Sequence, residues 1–335
     1  MKITVEDIVG VVGIVPTPAT ADARSWSAEN TVNYGETEKM IRAVIADGIE
    51  IVMTNGTFGE CATLTWEELH SFVECVVQTA ARKVLVFAGV TTLNTRDTIK
   101  RARALMQVGA DGLFIGRPMW LPMDQKAIVE FYRDLADALP KVPLVVYDNP
   151  HAFKGKISTD TYRELAKIEE IVAIKHVGGP TLEADLLAVG DKFRVLPLET
   201  DWCALAMKHP KLARACWSGH VACAPAPITA LSRAIARANW KEATKISEKL
   251  TWAISPMLPS GDVLKFLDYS IQLGHVRFRA AGLINPGPTR PPYRDAPEDY
   301  VAGSRTCGQR WAILQNEFKN EPVLSGGLSS KRVSN

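Results

Sequence analysis

Short apolar runs recur along the chain with amphipathic stretches of helix length between them, the alternation produced by parallel strands joined through crossover helices. Eight runs stand out: GVVGIVPT (10–17), IEIVMTNG (49–56), KVLVFAGV (83–90), ADGLFIGR (110–117), VPLVVYDN (142–149), IVAIKHVG (171–178), FRVLPLET (193–200) and ARACWSGH (213–220). In the interval TWEELHSFVECVVQTAA, Leu69, Phe72, Val73, Val76 and Val77 recur every three or four residues, which lines one face of a helix. Thr65 and Glu68 have the spacing of a capping box at its start. TRDTIKRARALMQVGA, MDQKAIVEFYRDLADAL and STDTYRELAKI fill the intervals before the fourth, fifth and sixth runs. Eight strands in this order predict an α/β fold, a (β/α)8 TIM barrel.

Beyond the eighth run the pattern changes. A helix-rich stretch covers about 228–285, the Pro/Gly-rich segment INPGPTRPPY (284–293) turns the chain, and a last helix is expected around 298–318. This predicts a barrel over residues 1–227 and a C-terminal helical extension packed on it over 228–320. The final stretch, 321–335, is rich in Ser and Gly and poor in apolar residues, so a mobile tail is expected there.

Composition narrows the function classes. The 335 residues include 47% hydrophobic and 23% charged positions, enough to bury a core of ordinary globular type. Thirty-nine basic against 37 acidic residues leave a net charge of +2, which is no field for a nucleic-acid backbone. The six cysteines, at 61, 75, 203, 216, 223 and 307, form no C-x-x-C pair and read as reduced thiols. No run reaches the roughly 18 apolar residues of a membrane span, and the N-terminus lacks a basic leader region. A cytoplasmic enzyme or binding protein is expected. Glycine-rich phosphate loops of the G-x-G-x-x-G or G-x-x-x-x-G-K type are absent, so no nucleotide cofactor is expected.

Barrels build their sites at the C-terminal ends of strands, where polar residues interrupting apolar runs carry information. Lys175, near the end of IVAIKHVGG, is the sharpest such interruption: an ammonium buried there is costly unless it loses its proton or finds a partner. A lowered pKa is what an imine-forming lysine requires. The ordinary alternative is an outward-facing or ion-paired lysine. Tyr147 ends the neighbouring run, where its hydroxyl would relay protons or simply line the wall. The loop NGTFGECATLT (55–65) has two glycines around Thr57 and Phe58, suited either to presenting amides to an anion or to an ordinary turn. His176 follows Lys175 and should face the other side of its strand. His220 has no metal-ligand partner in a recognisable spacing.

Taken together, GTFGE (56–60), YDNP (147–150) and IKHVG (174–178) resemble, in order and spacing, the pyruvate-dependent class I aldolase family that includes dihydrodipicolinate synthase and N-acetylneuraminate lyase. The resemblance spans about residues 8–318. GTFGECATLTW, PMW (118–120), GPTRPPY and PEDY look like the branch of trans-benzylidenepyruvate hydratase-aldolases. It implies a tetrameric barrel without a cofactor, Lys175 as the Schiff-base lysine, Tyr147 as proton relay, and Thr57 with the Phe58 amide as the 2-oxo acid carboxylate site. Where dihydrodipicolinate synthases carry a second Thr and an Arg, this chain has Phe58 and Ala152, which removes the anchor for aspartate semialdehyde.

The expected partners are therefore a small 2-oxo acid and an aromatic aldehyde. Trp120 and Trp217 are candidate walls for a planar ring, or packing residues between barrel and helices. Arg117, at the end of the fourth run, and Ser270 favour an ortho-carboxy ring, that is, trans-2'-carboxybenzalpyruvate cleaved to 2-carboxybenzaldehyde and pyruvate. Arg117 in a solvated or interface ion pair is the other reading of that residue. Competing readings are trans-o-hydroxybenzylidenepyruvate cleaved to salicylaldehyde, a sugar-acid lyase of the same superfamily, and a noncatalytic 2-oxo-acid-binding barrel.

Overall fold

The computed structural model describes residues 3–319. Eight parallel strands, β1 (Gly10–Ile14), β2 (Ile51–Met53), β3 (Leu85–Gly89), β4 (Gly112–Gly116), β5 (Leu144–Tyr147), β6 (Ile171–Lys175), β7 (Arg194–Leu196) and β8 (Ala215–Ser218), pair in the order β7-β6-β5-β4-β3-β2-β1-β8. A parallel bridge between Leu198 and Trp217 joins the two ends. The helices between them are α1 (Tyr34–Ala46), α2 (Trp66–Ala80), α3 (Thr95–Gln107), α4 (Gln125–Ala138), α5 (Thr159–Leu165), α6 (Leu182–Val189) and α7 (Glu199–Lys208), with α8 (Pro225–Ala236) completing the ring. The fold is the expected (β/α)8 barrel.

Local chemistry sets the helix starts. The side chains of Asn33, Asn94, Asp124 and Ser158 each accept from a backbone amide in the first turn of α1, α3, α4 and α5. These are donors that the helix itself leaves orphaned. Thr65 and Glu68 form the expected capping box on α2, and Glu68 also accepts from the Thr31 amide at 2.8 Å. Strand residues alternate between two cores. Val12, Ile14, Phe87, Phe114, Val145 and Leu196 fill the barrel interior, whereas Val11, Val86, Ile115, Val146 and Ile174 pack outward against the helices.

The C-terminal extension comprises α9 (Trp240–Ile254), α10 (Val263–Asp268), α11 (Ser270–Ala281) and α12 (Glu298–Lys319). The boundary expected between 227 and 228 falls inside α8, the eighth barrel helix, so the extension starts after Ala236. The single helix-rich stretch is broken at Ala238, whose φ is 52°, and again by the single-turn 3₁₀ helices at Ser255–Met257 and Pro259–Gly261. The tail expected at 321–335 lies outside the described residues. Among the described residues no helix is long and apolar enough to cross a membrane.

Candidate active site

Lys175 is the last residue of β6, and its backbone pairs in register with Tyr147, the last of β5. Both side chains point into the barrel mouth, because their strand positions share the parity of the interior residues Ala173 and Val145. Lys175 is only 5% exposed. Its Nζ lies 3.7 Å from the Trp217 ring centre and 5.0 Å from that of Tyr147. Among the described residues it has no ion-pair partner within 4 Å. Burial pushes its pKa from 10.5 down to about 7, against the opposing pull of the Asp148 and Glu199 charges. The result is an amine that is partly neutral near physiological pH, the form that attacks a carbonyl carbon.

Trp217 is held in place over that amine. Its Nε1–H donates to the His176 carbonyl at 2.7 Å, which fixes the indole plane from the neighbouring part of the wall. The Tyr147 hydroxyl lies 2.7 Å from Thr57 Oγ1, receives the Asn149 Nδ2–H at 3.2 Å, and is approached by the Thr57 amide at 3.4 Å. Burial raises the phenol's pKa, and the bonds from Thr57 and Asn149 partly offset this. A phenol so placed is a neutral donor and acceptor whose ring centre lies 5.0 Å from the Lys175 amine.

The loop carrying Thr57 is bent by two left-handed residues, Asn55 (φ 48°) and Glu60 (φ 55°). Gly59 is required by close approach rather than by dihedral: a Cβ there would sit 2.6 Å from the Asn55 amide nitrogen. The resulting turn presents Thr57 to Tyr147, and no acceptor among the described residues takes the Phe58 amide. The Phe58 ring packs 4.4 Å from the Arg277 guanidinium carbon.

Thr57, Phe58, Tyr147, Lys175, Trp217 and Ser270 all line one cavity of about 730 Å³. Its outer wall is apolar and comes from the extension, with Ile254, Met257, Leu258, Val263, Leu264 and Phe266. Ser270, buried at the start of α11, adds a small polar side chain. At one side His220 Nδ1 lies 2.6 Å from Glu199 and its Nε2 lies 3.3 Å from Arg277 Nη1. Burial and the Arg277 charge lower the His220 pKa, so a neutral ring that donates to Glu199 and accepts from Arg277 satisfies both contacts. His176 faces away from the cavity, as strand parity requires, and bonds Asp185 at 3.0 Å.

Two residues stand elsewhere than expected. Trp120 is 74% exposed and is not part of the cavity wall. The loop after β4 runs outward, with Lys154 donating to the Trp120 carbonyl at 2.7 Å. Arg117 is 1% exposed and pairs with buried Asp148 at 3.2 Å, on the outer side of the barrel wall. Gly116 registers with inward Tyr147, so the residue just past each strand end, Arg117 and Asp148, faces outward. Arg117 is thus neither a substrate anchor nor a solvated ion pair. Asn149, Arg277 and the apolar residues of the extension were not singled out from sequence. Only Asn149 had a signal, its place two residues beyond Tyr147 on the same parity.

Residues 16–265 match the dihydrodipicolinate synthetase family. The chain is 47% identical over 320 residues to the trans-2'-carboxybenzalpyruvate hydratase-aldolase of Nocardioides sp. (strain KP7), covering 94% of this chain and 96% of that one. It is 40% identical over 324 residues to the trans-O-hydroxybenzylidenepyruvate hydratase-aldolase of Pseudomonas aeruginosa, covering 96% and 97%. Among solved structures, PhdJ bound to a substrate intermediate superposes with a TM-score of 0.93 at 50% identity, covering 95% of this chain and 99% of that one. The chain belongs to the dihydrodipicolinate synthetase family and resembles, over nearly its whole length, that family's hydratase-aldolases.

Proposed function

We propose that the protein is a class I hydratase-aldolase that cleaves an ortho-substituted trans-benzylidenepyruvate to pyruvate and an aromatic aldehyde. The observation that carries this reading is Lys175, buried between the faces of Trp217 and Tyr147 with no ion-pair partner among the described residues, at the base of a cavity whose outer wall is apolar. An amine so placed forms an imine with a 2-oxo acid, and a planar ring suits the wall above it.

The neutral amine attacks C2 of the substrate, and loss of water gives an iminium conjugated through C3 and C4 to the aryl ring. Thr57 and the Phe58 amide hold the carboxylate. Water adds at C4, leaving an enamine that takes a proton at C3. Tyr147 or a nearby water then takes the proton of the C4 hydroxyl, the phenol handing its own proton on to the hydrogen-bonded Thr57 hydroxyl so that it stays neutral; the C3–C4 bond breaks and the electron pair moves into the iminium. The aldehyde departs, the pyruvate enamine is protonated at C3, and water hydrolyses the imine to free Lys175. One water is consumed overall, and Lys175 itself is the electron sink, so no separate cofactor is invoked.

The ortho-carboxy ring is the favoured substrate. Support comes from the 47% identity to the relative named for that substrate, from the small side chain of Ser270 on the cavity wall, and from the Arg277 cation behind Phe58. Arg117 lends it none. By family likeness the protein acts as a homo-tetramer, and its six free cysteines suit a reducing compartment such as the cytoplasm.

Aldehyde release from a panel of ortho-carboxy and ortho-hydroxy benzylidenepyruvates and a polyhydroxylated 2-oxo acid tests the reading. The aryl substrates are expected to be cleaved, the ortho-carboxy one with the higher kcat/KM, and Lys175→Ala to abolish cleavage. Turnover of the polyhydroxylated acid alone would replace this reading with a sugar-acid lyase. Binding without any turnover would replace it with a binding barrel.

A further inference from the structure

Two sequence motifs that are far apart in the chain, GTFGE and GPTRPPY, meet at the carboxylate of Glu60. This side chain is fully buried at the end of the Thr57 loop. Its Oε1 accepts from Arg290 Nη1 at 2.7 Å and lies 2.8 Å from His275 Nε2 on α11. Its Oε2 accepts from Thr63 Oγ1 at 2.9 Å and from the Arg290 amide at 3.3 Å. His275 Nδ1 lies 3.0 Å from the Gly287 carbonyl, so the ring spans two oxygen acceptors in two segments.

Arg290 is tied as firmly. Its Nε donates to Thr31 Oγ1 at 2.7 Å, and its two Nη groups donate to the carbonyls of Thr31 and Thr17 at 2.9 and 3.2 Å. Thr17 in turn donates its hydroxyl to the Gly59 carbonyl at 2.8 Å. The cluster therefore grips the Thr57 loop at both Gly59 and Glu60. The Glu60 amide donates to the Thr57 carbonyl at 3.0 Å, which passes any movement of Glu60 directly to Thr57, and from Thr57 to the Tyr147 hydroxyl.

None of the three ionisable residues lines the cavity. Desolvation works against the Glu60 charge, yet the bonds and charges of His275 and Arg290 outweigh it and keep the carboxyl below its usual range. A buried ionic cluster is a poor source of stability, since apolar residues of similar shape often serve as well or better; what it supplies is a defined geometry.

We infer that Glu60, His275 and Arg290 are positioning residues, through which α11 and the 287–290 segment of the C-terminal extension set the carboxylate-binding loop. The inference rests on the Schiff-base reading above. It makes the extension part of the pyruvate end of the site as well as the wall of its aryl end.

The test is a pyruvate titration of borohydride trapping on the full-length protein, which reads the half-saturating pyruvate and the maximal trapping rate separately. Glu60→Gln keeps the shape and removes the charge; His275→Asn removes the α11 contact to Glu60 and leaves the Glu60–Arg290 pair. Both are expected to raise half-saturating pyruvate about tenfold, short of the roughly hundredfold that an ångström of misplacement can cost. Maximal trapping should stay within about twofold, the pattern of weakened binding rather than lost chemistry. Arg290→Lys, which keeps a cation but loses the fork, should fall between. An unchanged half-saturation in His275→Asn, with only its melting temperature lowered, would overturn the inference and leave the cluster a structural one. If Glu60→Gln does not fold, the His275→Asn titration decides alone. If the wild-type protein traps no pyruvate, the functional reading fails first and this one with it; normal wild-type trapping with unaltered variants removes this one only.

Discussion

Replacing Lys175 with methionine should make the protein more stable, by an amount that depends on pH in a defined direction. The side chain is 5% exposed and, among the described residues, its ammonium has no compensating carboxylate within ion-pair reach. Its pKa falls from 10.5 in the free side chain to about 7, a difference equivalent to about 5 kcal/mol. Two effects reduce the gain on substitution. The cation–π contact at 3.7 Å from Trp217 is lost, worth ~1–2 kcal/mol when desolvated. Water entry and relaxation also soften burial penalties, so that exchanging buried ions for apolar isosteres typically gains ~1–4 kcal/mol. A net gain of ~3 kcal/mol, or roughly 5 °C in Tm, follows.

The direction with pH comes from proton binding. Below pH 7 both the folded and the unfolded states hold the Lys175 proton, and the folded state bears the full penalty. Between about 7 and 10.5 the unfolded state binds more proton than the folded one, so wild-type stability rises with pH through that window. The methionine variant lacks this term, and its advantage should shrink by about 1.4 kcal/mol per pH unit above 7. Thermal melts of both proteins at pH 6 and pH 9.5 measure it. A Met variant no more stable at pH 6, or one with the same advantage at both pH values, would refute the claim that Lys175 is buried as an uncompensated base.

Other expectations follow from the same geometry. The rate of imine trapping at saturating pyruvate should climb about tenfold per pH unit below 7 and level off above it, because only the neutral amine attacks and its pKa lies at about 7; a midpoint near 10 in a pH–rate series would contradict this. Tyr147→Phe should leave pyruvate binding nearly intact while slowing aldehyde release by roughly 10²–10⁴-fold, the range of general acid–base catalysis, as read by steady-state kinetics. Arg117→Ala should cost about 3–5 kcal/mol in urea denaturation, since it strands the buried Asp148 carboxylate. Its folded fraction should keep the wild-type ratio of kcat/KM for ortho-carboxy over ortho-hydroxy substrates.

Much of the site could be read from single strands. Each strand buries alternate residues on opposite faces, so Tyr147 and Lys175 at the ends of adjacent runs were bound to meet if the runs stayed in register, and they pair directly. The same parity turned His176 outward and, applied to Gly116, also turns Arg117 outward; one residue of position separates a ligand from a buried structural ion pair. Trp120 lies in the loop beyond β4, where no periodicity constrains direction, and its ring ended in solvent. The domain boundary was obscured because apolar spacing runs on through TALSRAIARANWKEATK, and the break at Ala238 uses a left-handed alanine instead of a glycine that sequence would reveal. Glu60, His275 and Arg290 were hidden by distance, with 215 and 230 residues separating the partners. Pattern within a segment carries no record of such contacts.

The central claim is that Lys175 forms an imine with a 2-oxo acid. Incubation with pyruvate, reduction with borohydride and peptide mass spectrometry test it directly, with Lys175→Ala as control. The account predicts a single reduced pyruvate adduct, on the peptide bearing Lys175 and absent from the variant. No adduct, or one on any other lysine, would contradict it.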